Sequence, residues 1–467
     1  MPLQLCQFRN QNPETKTRKL SSIHITDNDQ RQEYYDTLNG SLKIDMSSLF
    51  NKCNHVSRAI ALLACCVLWS IFIHGGVAFQ RPNQEGSTDL ELLYEKLHGA
   101  NQRIKELESG LIHNGSAQHS MRLSSLPGNL TLGDKNLLPR FSAAKILFES
   151  LPFSESTFAK PLVLRNFIRR EQLLNKTTIV LSTQTSTRKF DSLYQQLFYW
   201  NGPSSIAIYI KSEKDLLQLA NFTSENTELL KEASFHLVME KTNLPYPANI
   251  LRNVAMEGIE SFYFVAMDVD LIPLPKNCHS KLSLTMSRLS IANRTKTLFV
   301  LPAFSLLPEK KGTFANASEV PKTKRKAVAM ARRGRIEQFW RRKFPQGHAP
   351  SRYPAWMKAG DDSKDFYRVT MTKTQSKSYE PYVLGFKPGV PRYWEDFRGF
   401  GRNKISFFTE CYRAGYTYAV LTQFFCIHLD HPAIEPTVKK EQNMASLKVW
   451  KKFHNEYLNP KYGKPKE

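Results

Sequence analysis

The sequence predicts an α/β protein in which a sheet with buried parallel strands follows a single membrane-spanning segment. Three observations carry this. Phe262-Tyr-Phe-Val-Ala-Met-Asp268-Val-Asp270-Leu-Ile-Pro273 opens as an unbroken apolar run, the pattern of a strand covered on both faces. Thr178-Ile-Val-Leu-Ser-Thr-Gln184 and Ser205-Ile-Ala-Ile-Tyr-Ile210 read as two more such strands, with helical spacing of apolar residues from Phe190 to Tyr199 between them. Strand, helix, strand is the unit of a right-handed parallel crossover. The third observation is the 21-residue stretch Ala59–Phe79, which has no formal charge and lies between Arg58 and Arg81.

That stretch is long enough to cross a bilayer as a helix, and it starts too deep in the chain for a cleaved signal peptide. Lys43, Lys52 and Arg58 precede it, while Glu85, Asp89, Glu91 and Glu95 crowd the far side. The positive-inside bias then keeps residues 1–58 cytosolic and sends everything after residue 80 across the membrane. Six Asn-x-Ser/Thr acceptor sites lie on that far side, at Asn114, Asn129, Asn175, Asn221, Asn293 and Asn316. The expected organisation is a tail over 1–58, a signal-anchor over 59–79, a stem over 80–157 and a catalytic domain over 158–467. Within the stem, Leu90, Leu93, Leu97, Ala100, Ile104, Leu107 and Leu111 step by threes and fours. Such a 90–111 segment is either a short coiled coil, pairing with a second copy or a partner protein, or a lone amphipathic helix.

The net charge of +23 invites a nucleic-acid function, but its distribution argues against one. The cytosolic tail has 8 Lys/Arg against 6 Asp/Glu, so only +2 faces the cytosol. The densest basic stretch, Glu309–Lys343, has 12 basic and 3 acidic residues on the far side. It is read as a solvated face or as a landing surface for an acidic glycan or anionic donor. Only Cys278, Cys411 and Cys426 follow the anchor, so at most one bridge forms there and no zinc-type pairing exists.

The chemistry is expected where the third strand ends. Pro273 and Pro275 are expected to stop pairing at Leu271. At spacing two on an extended chain, Asp268 and Asp270 point the same way, toward the carboxyl end where open α/β sheets bind ligands. Two carboxylates there suit a hard divalent cation on a diphosphate. Tyr246 to Ala255 reads as a helix feeding that strand, from which Arg252 and Asn253 could reach a phosphate or a sugar hydroxyl.

Taken together, Thr183-Gln184, Trp200-Asn-Gly-Pro203, Tyr246-Pro247…Leu251-Arg252-Asn253, Asp268-Val-Asp270, Leu301-Pro-Ala-Phe304, His348-Ala-Pro350…Tyr353…Trp356, Tyr379-Glu-Pro-Tyr-Val383 and Phe397-Arg-Gly-Phe-Gly401-Arg-Asn403 through His428 form one ordered pattern. It resembles glycosyltransferase family 49, which contains the β-1,4-glucuronyltransferase of matriglycan initiation and the second domain of LARGE. The resemblance spans nearly the whole domain after the stem. It implies a GT-A fold and an inverting, Mn²⁺-dependent transfer from a UDP-sugar to a glycan or glycoprotein acceptor, most readily of β-linked glucuronic acid. It also implies residence in the Golgi membrane as a single-pass type II protein.

By the same resemblance, the metal falls to Asp268, Asp270 and His428, with His431 a rival. The donor falls to Thr183, Gln184, Arg252, Asn253 and Asp268, and the acceptor to His348, Tyr353, Trp356 and Asn403. Inversion needs a carboxylate base, for which Glu395, Asp396 and Glu380 are candidates, Glu395 first. The chain departs from the family at Trp394, where an acidic residue is usual, at Arg352 in place of Asn, and in lacking a Cys-x-x-Cys pair over Phe344–Gly347. Other UDP-sugars (xylose or N-acetylglucosamine) and a catalytically inactive glycan-binding protein or chaperone of a partner glycosyltransferase are the alternatives.

Overall fold

A computed structural model describes residues 137–463 except 157–159, 290–294, 310–316, 361–363 and 430–435. The chain divides into two units, Met1–Leu90 and Glu91–Glu467, and all described residues lie in the second. The tail, the anchor, the 90–111 segment, Asn114, Asn129, Asn293, Asn316 and His431 fall outside the described residues. Among the described residues no helix is long and apolar enough to cross a membrane.

The centre is a nine-stranded mixed sheet with the order β1-β4-β3-β2-β5-β11-β7-β12-β10. Its first half contains β1 (Leu162–Ile168), β2 (Ile179–Ser186), β3 (Ser204–Ile210), β4 (Ala233–Met239) and β5 (Tyr263–Ala266). Strands β2 to β5 in this half run parallel to one another. Strands β3 and β4 are buried at every position, the consequence of helices packing on both faces of a parallel sheet. The second half adds β11 (Tyr382–Phe386), β7 (Thr297–Leu301), β12 (Thr417–Leu421) and β10 (Phe366–Val369). There β11 runs antiparallel to both β5 and β7, so the sheet is mixed rather than wholly parallel.

A second sheet has the order β6-β13-β8-β9, with β6 Leu271–Leu274, β13 Phe425–His428, β8 Ala303–Leu306 and β9 Ile336–Gln338. The expected single strand is therefore two. Strand β5 stops at Ala266, residues 267–270 turn, and β6 then carries Pro273 inside a paired strand. Pairing continues past Leu271 because β6 is the edge of its sheet, and a residue without an N–H is tolerated there.

Helix α1 (Leu137–Glu149) packs on α3 (Glu213–Glu225), while α2 (Phe190–Trp200) packs on β2 and β6. Helix α4 (Ala248–Glu257) lies on β2 and β3. Gly258, just past α4, sits so close to the sheet that a Cβ would come within 2.1 Å of the buried His236 ring. His236 Nδ1 accepts from the Asn166 N–H at 2.9 Å and its Nε2 meets Ser205 Oγ at 3.0 Å, which passes its own proton to the Ala255 carbonyl. Burial holds that imidazole down at a pKa of about 3, so it is a neutral packing residue.

Further helices are α5 (Cys278–Ser287), α6 (Lys324–Arg332), α7 (Tyr353–Lys358), α8 (Asn403–Arg413) and α9 (Pro436–Lys452), besides several of a single turn or little more. Lys324–Arg332 of the basic stretch forms α6, capped by the Thr323 hydroxyl, with Lys324 laid over the Trp356 ring. Cys278, Cys411 and Cys426 are all free and buried.

Trp356 is fully buried among Phe304 and Phe425 with its indole N–H donated to the Phe424 carbonyl. Trp356→Ala is expected to cost about 3–5 kcal/mol through the cavity it leaves. Chemical denaturation would check this; a loss below about 1 kcal/mol would contradict a core role.

Candidate active site

The turn between β5 and β6 is fixed by its neighbours. Met267 N–H donates to the Ser182 carbonyl at 3.1 Å, and the buried Gln196 of α2 donates to the carbonyls of Asp268 and Leu271 at 2.8 and 2.9 Å. Leu429, which follows β13, closes it with an N–H to the Asp270 carbonyl at 3.2 Å. The turn thus lies beyond the carboxyl end of β5 and beside the last residues of its parallel neighbour β2, at the end of the sheet where open α/β folds place ligands. Because it is a turn and not an extended strand, the two carboxylates take different partners.

Asp268 is surrounded by donors. Arg252 Nη2 of α4 reaches Oδ1 at 2.9 Å, while Lys404 Nζ of α8 and the Tyr382 hydroxyl of β11 both reach Oδ2 at 3.1 Å. Burial alone would raise the Asp268 pKa, yet Lys404 and Arg252 hold it well below the ordinary carboxylate range. Burial likewise works against the Arg252 cation, and the Asp268 carboxylate more than offsets it. Lys404 is stacked at 3.9 Å over the Tyr382 ring, and Arg252 at 5.5 Å over Tyr393. The cluster is a desolvated ion group in which each cation is also fixed by an aromatic face.

Asp270 faces the other way, with Lys189 Nζ at 3.0 Å and His428 Nε2 at 3.6 Å from Oδ2. A carboxylate and an imidazole converging in this way are a donor set that suits Mn²⁺. Among the described residues no three His, Cys, Asp or Glu side chains cluster as a complete cage. Asp270 and His428 are the two protein groups that would hold a divalent cation here.

The other expected residues divide sharply. Asn403 belongs to the cluster, its Oδ1 accepting from Arg252 Nη1 at 3.1 Å. Thr183 is buried beside it with no partner for its hydroxyl among the described residues, and it lines, with Arg252, Asp268 and Lys404, a cavity of about 10 Å³. Such a space holds one water. Gln184 accepts from the buried Tyr246 hydroxyl. Asn253 instead brackets the backbone of Tyr393, donating to its carbonyl and accepting from its N–H, both at 2.9 Å, and so positions α4.

His348 is buried, its ring lying 6.0 Å from that of Tyr382 at 22° and its Nε2 without a partner among the described residues. Burial, then Lys404, keeps it well below its ordinary pKa. Tyr353 and Trp356, expected at the acceptor, are core residues: the Tyr353 hydroxyl donates to the Ala303 carbonyl at 2.7 Å, and Trp356 is enclosed as described.

The three base candidates also separate. Glu395 is held by Asn253 Nδ2 at 2.8 Å and Arg392 at 3.1 Å, and lines a different pocket of about 210 Å³ with Arg165 and Glu257. Asp396 is half exposed and pairs with Lys452 at 2.9 Å. Glu380, half-buried, is the candidate on which the charged cluster acts: burial raises its pKa, Lys404 opposes this, Asp268 reinforces it and Arg252 opposes it. Trp394 points away into the C-terminal aromatic packing, 4.7 Å from Tyr457 and 5.6 Å from Phe453.

Lys189, Lys404 and Tyr382 are the site residues that motif spacing did not single out. Lys404 and Tyr382 lie inside the quoted blocks, and a lysine at a helix start followed by the apolar Ile405 was the one visible signal for Lys404.

Residues 223–463 match the family described as the glycosyl-transferase for dystroglycan. The chain belongs to this family. Among curated relatives, the chain is 28% identical over 298 residues to human xylosyl- and glucuronyltransferase LARGE1, covering 63% of itself and 37% of that protein. It is 30% identical over 255 residues to mouse xylosyl- and glucuronyltransferase LARGE2, covering 54% of itself and 34% of that protein. It thus spans about a third of the length of these relatives. Among solved structures, S. aureus TarS bound to UDP-GlcNAc overlaps 58% of this chain and 66% of its own at 11% identity and a TM-score of 0.32, too loose an overlap to carry weight.

Proposed function

We propose that this chain is an inverting glycosyltransferase of GT-A architecture that moves a sugar, glucuronic acid first among candidates, from a UDP-sugar to a glycan acceptor. The observation that carries it is the split of the two aspartates: Asp268 neutralises and orients Arg252 and Lys404, while Asp270 opposes His428. Family membership and the likeness to LARGE-type xylosyl- and glucuronyltransferases support the same conclusion.

In this scheme Asp270 and His428 would hold the divalent cation, whose chemistry is to neutralise charge on the departing diphosphate. Arg252, Lys404 and Lys189 supply fixed positive charge around the same leaving group, at no reorganisation cost when the sugar–phosphate bond breaks. Asn403 and Asn249 hold the Arg252 guanidinium through Nη1 at 3.1 and 2.9 Å. Glu380 takes the acceptor hydroxyl proton, a role its raised pKa suits. A Golgi type II setting is part of the proposal, supported by the apolar segment at 59–79 and by exposed acceptor asparagines at 175 and 221.

The test is UDP release by the purified chain with Mn²⁺ across UDP-glucuronic acid, UDP-xylose and UDP-N-acetylglucosamine. Asp270→Asn is expected to lower release by at least about 100-fold while the fold is kept. Wild-type release no greater than that of the mutant, across an acceptor panel, would leave a glycan-binding protein instead.

A further inference from the structure

Beside the charged cluster lies an aromatic shelf that none of these roles uses. Trp340 and Phe400 stack with centroids 6.0 Å apart and an interplanar angle of 22°, both half-buried. Each is fixed by unusual backbone. Trp340 has φ 57°, a left-handed conformation costing a non-glycine residue roughly 1–3 kcal/mol. Its carbonyl accepts from the N–H groups of Lys343 and Phe344 at 3.0 and 2.8 Å. Phe400 stands between Gly399 (φ 67°) and Gly401 (φ 102°), and its N–H donates to Gln442 of α9 at 2.7 Å. A Cβ at Gly399 would come within 2.4 Å of the same Gln442 side chain, so the loop is clamped.

Over both rings sits Lys439 of α9, its Nζ 5.0 Å from Trp340 and 4.4 Å from Phe400. Among the described residues Lys439 has no carboxylate partner, and Lys343 stands near enough to act on it as a like charge. Filling a surface gap needs neither a strained tryptophan nor two ammonium groups that lack a carboxylate partner among the described residues. A rigid apolar platform presents its face to the C–H side of a sugar ring, and adjacent unpaired cations select an anion.

The shelf adjoins the site on two sides. Phe339 packs 4.7 Å from the His428 ring and 5.9 Å from Trp340, and three residues after Phe400 comes Asn403, bonded to Arg252.

We propose that Trp340, Phe400 and Lys439 form an acceptor subsite for a pyranose ring bearing a carboxylate, an inference that rests on the transferase function above. The aromatic faces hold the ring, and Lys439, with Lys343, takes the carboxylate.

Binding can be read without turnover. The full-length chain in detergent is titrated at low salt with methyl β-glucuronide, methyl β-glucoside and acetate, followed by calorimetry or saturation-transfer NMR. The glucuronide is expected to bind at least about 10-fold more tightly than either control, roughly the worth of one partly desolvated charge-assisted contact. Lys439→Gln is expected to erase its margin over the glucoside, Lys439→Arg to keep it, and Phe400→Leu to weaken both sugars. A glucoside or acetate equal to the glucuronide, or an unchanged margin in Lys439→Gln, overturns the subsite. Lys439 is half-buried over the two rings, and a melting curve on each variant verifies that the fold is kept. UDP binding on the same samples tests the transferase function separately. If it is absent while the glucuronide margin persists, the transferase function fails and the sugar site stands; the converse result removes the subsite alone.

Discussion

Asp268→Asn is expected to abolish sugar transfer, by about 1,000-fold or more, and to destabilise the fold by about 3–5 kcal/mol. The stability loss follows from leaving two partly buried cations without their counter-charge. Arg252 and Lys404 are 12% and 9% exposed at the side chain, and both lean on this one carboxylate. The amide is isosteric but supplies no charge, so the loss reads electrostatics rather than volume.

The pH dependence has a definite sign. The folded-state pKa of Asp268 is depressed relative to the unfolded chain. Its contribution is therefore full above the unfolded value of about 4 and drains away as pH falls through the depressed folded value. Urea titrations at pH 7 and pH 3.5 would show the gap between wild type and Asp268→Asn narrowing toward acid. An equal gap at both pH values would mean that Asp268 carries no such linkage. The activity loss has a separate control: Asp270→Asn should lose activity with a smaller stability penalty, because Asp270 anchors fewer of the desolvated cations.

How much of this was legible in the sequence depends on the range of the interaction. The buried parallel strands β2 and β3 and the helix between them were readable because burial on both faces writes itself as a continuous apolar run. The aspartate turn was located correctly, but its geometry was not. Pro273 looked like a strand stop, and only the sheet order reveals that β6 is an edge where such a residue pairs. Lys189, Lys404 and Tyr382 reach the aspartates from positions 81, 136 and 114 residues distant in sequence, and no local spacing encodes that convergence. Tyr353 and Trp356 shared a block with His348 and so looked like site residues. Their burial and carbonyl-bonded polar tips come from packing on β8 and β13, which the block itself does not show. The Trp394 substitution looked like a lost base for the same reason: its ring turns to the C-terminal helix, away from the chemistry.

Glu380→Gln is the substitution that decides the base. It is expected to lower kcat by about 100- to 10,000-fold, the worth of one positioned proton acceptor, while UDP binding stays within about 2-fold. Wild-type kcat/KM should fall on the acid side with a limb above the ordinary carboxylate value, because burial raises the Glu380 pKa. That limb should vanish in Glu380→Gln. The stability sign is opposite to that of Asp268. A carboxylate whose folded pKa is raised stabilises the protein only below its unfolded value, and this contribution is lost as pH rises through the folded one. Glu380→Gln should therefore be neutral or stabilising at pH 7, so that a fall in activity cannot be ascribed to unfolding. Glu395→Gln is the matched comparison. Its carboxylate is engaged by Asn253 and Arg392 beside another pocket, and a change below about 5-fold is expected. Should Glu395→Gln remove the acid limb and Glu380→Gln leave it, proton transfer belongs to the α4 side of the molecule. The acceptor would then have to approach from the Arg165–Arg392 face rather than past His348 and Tyr382.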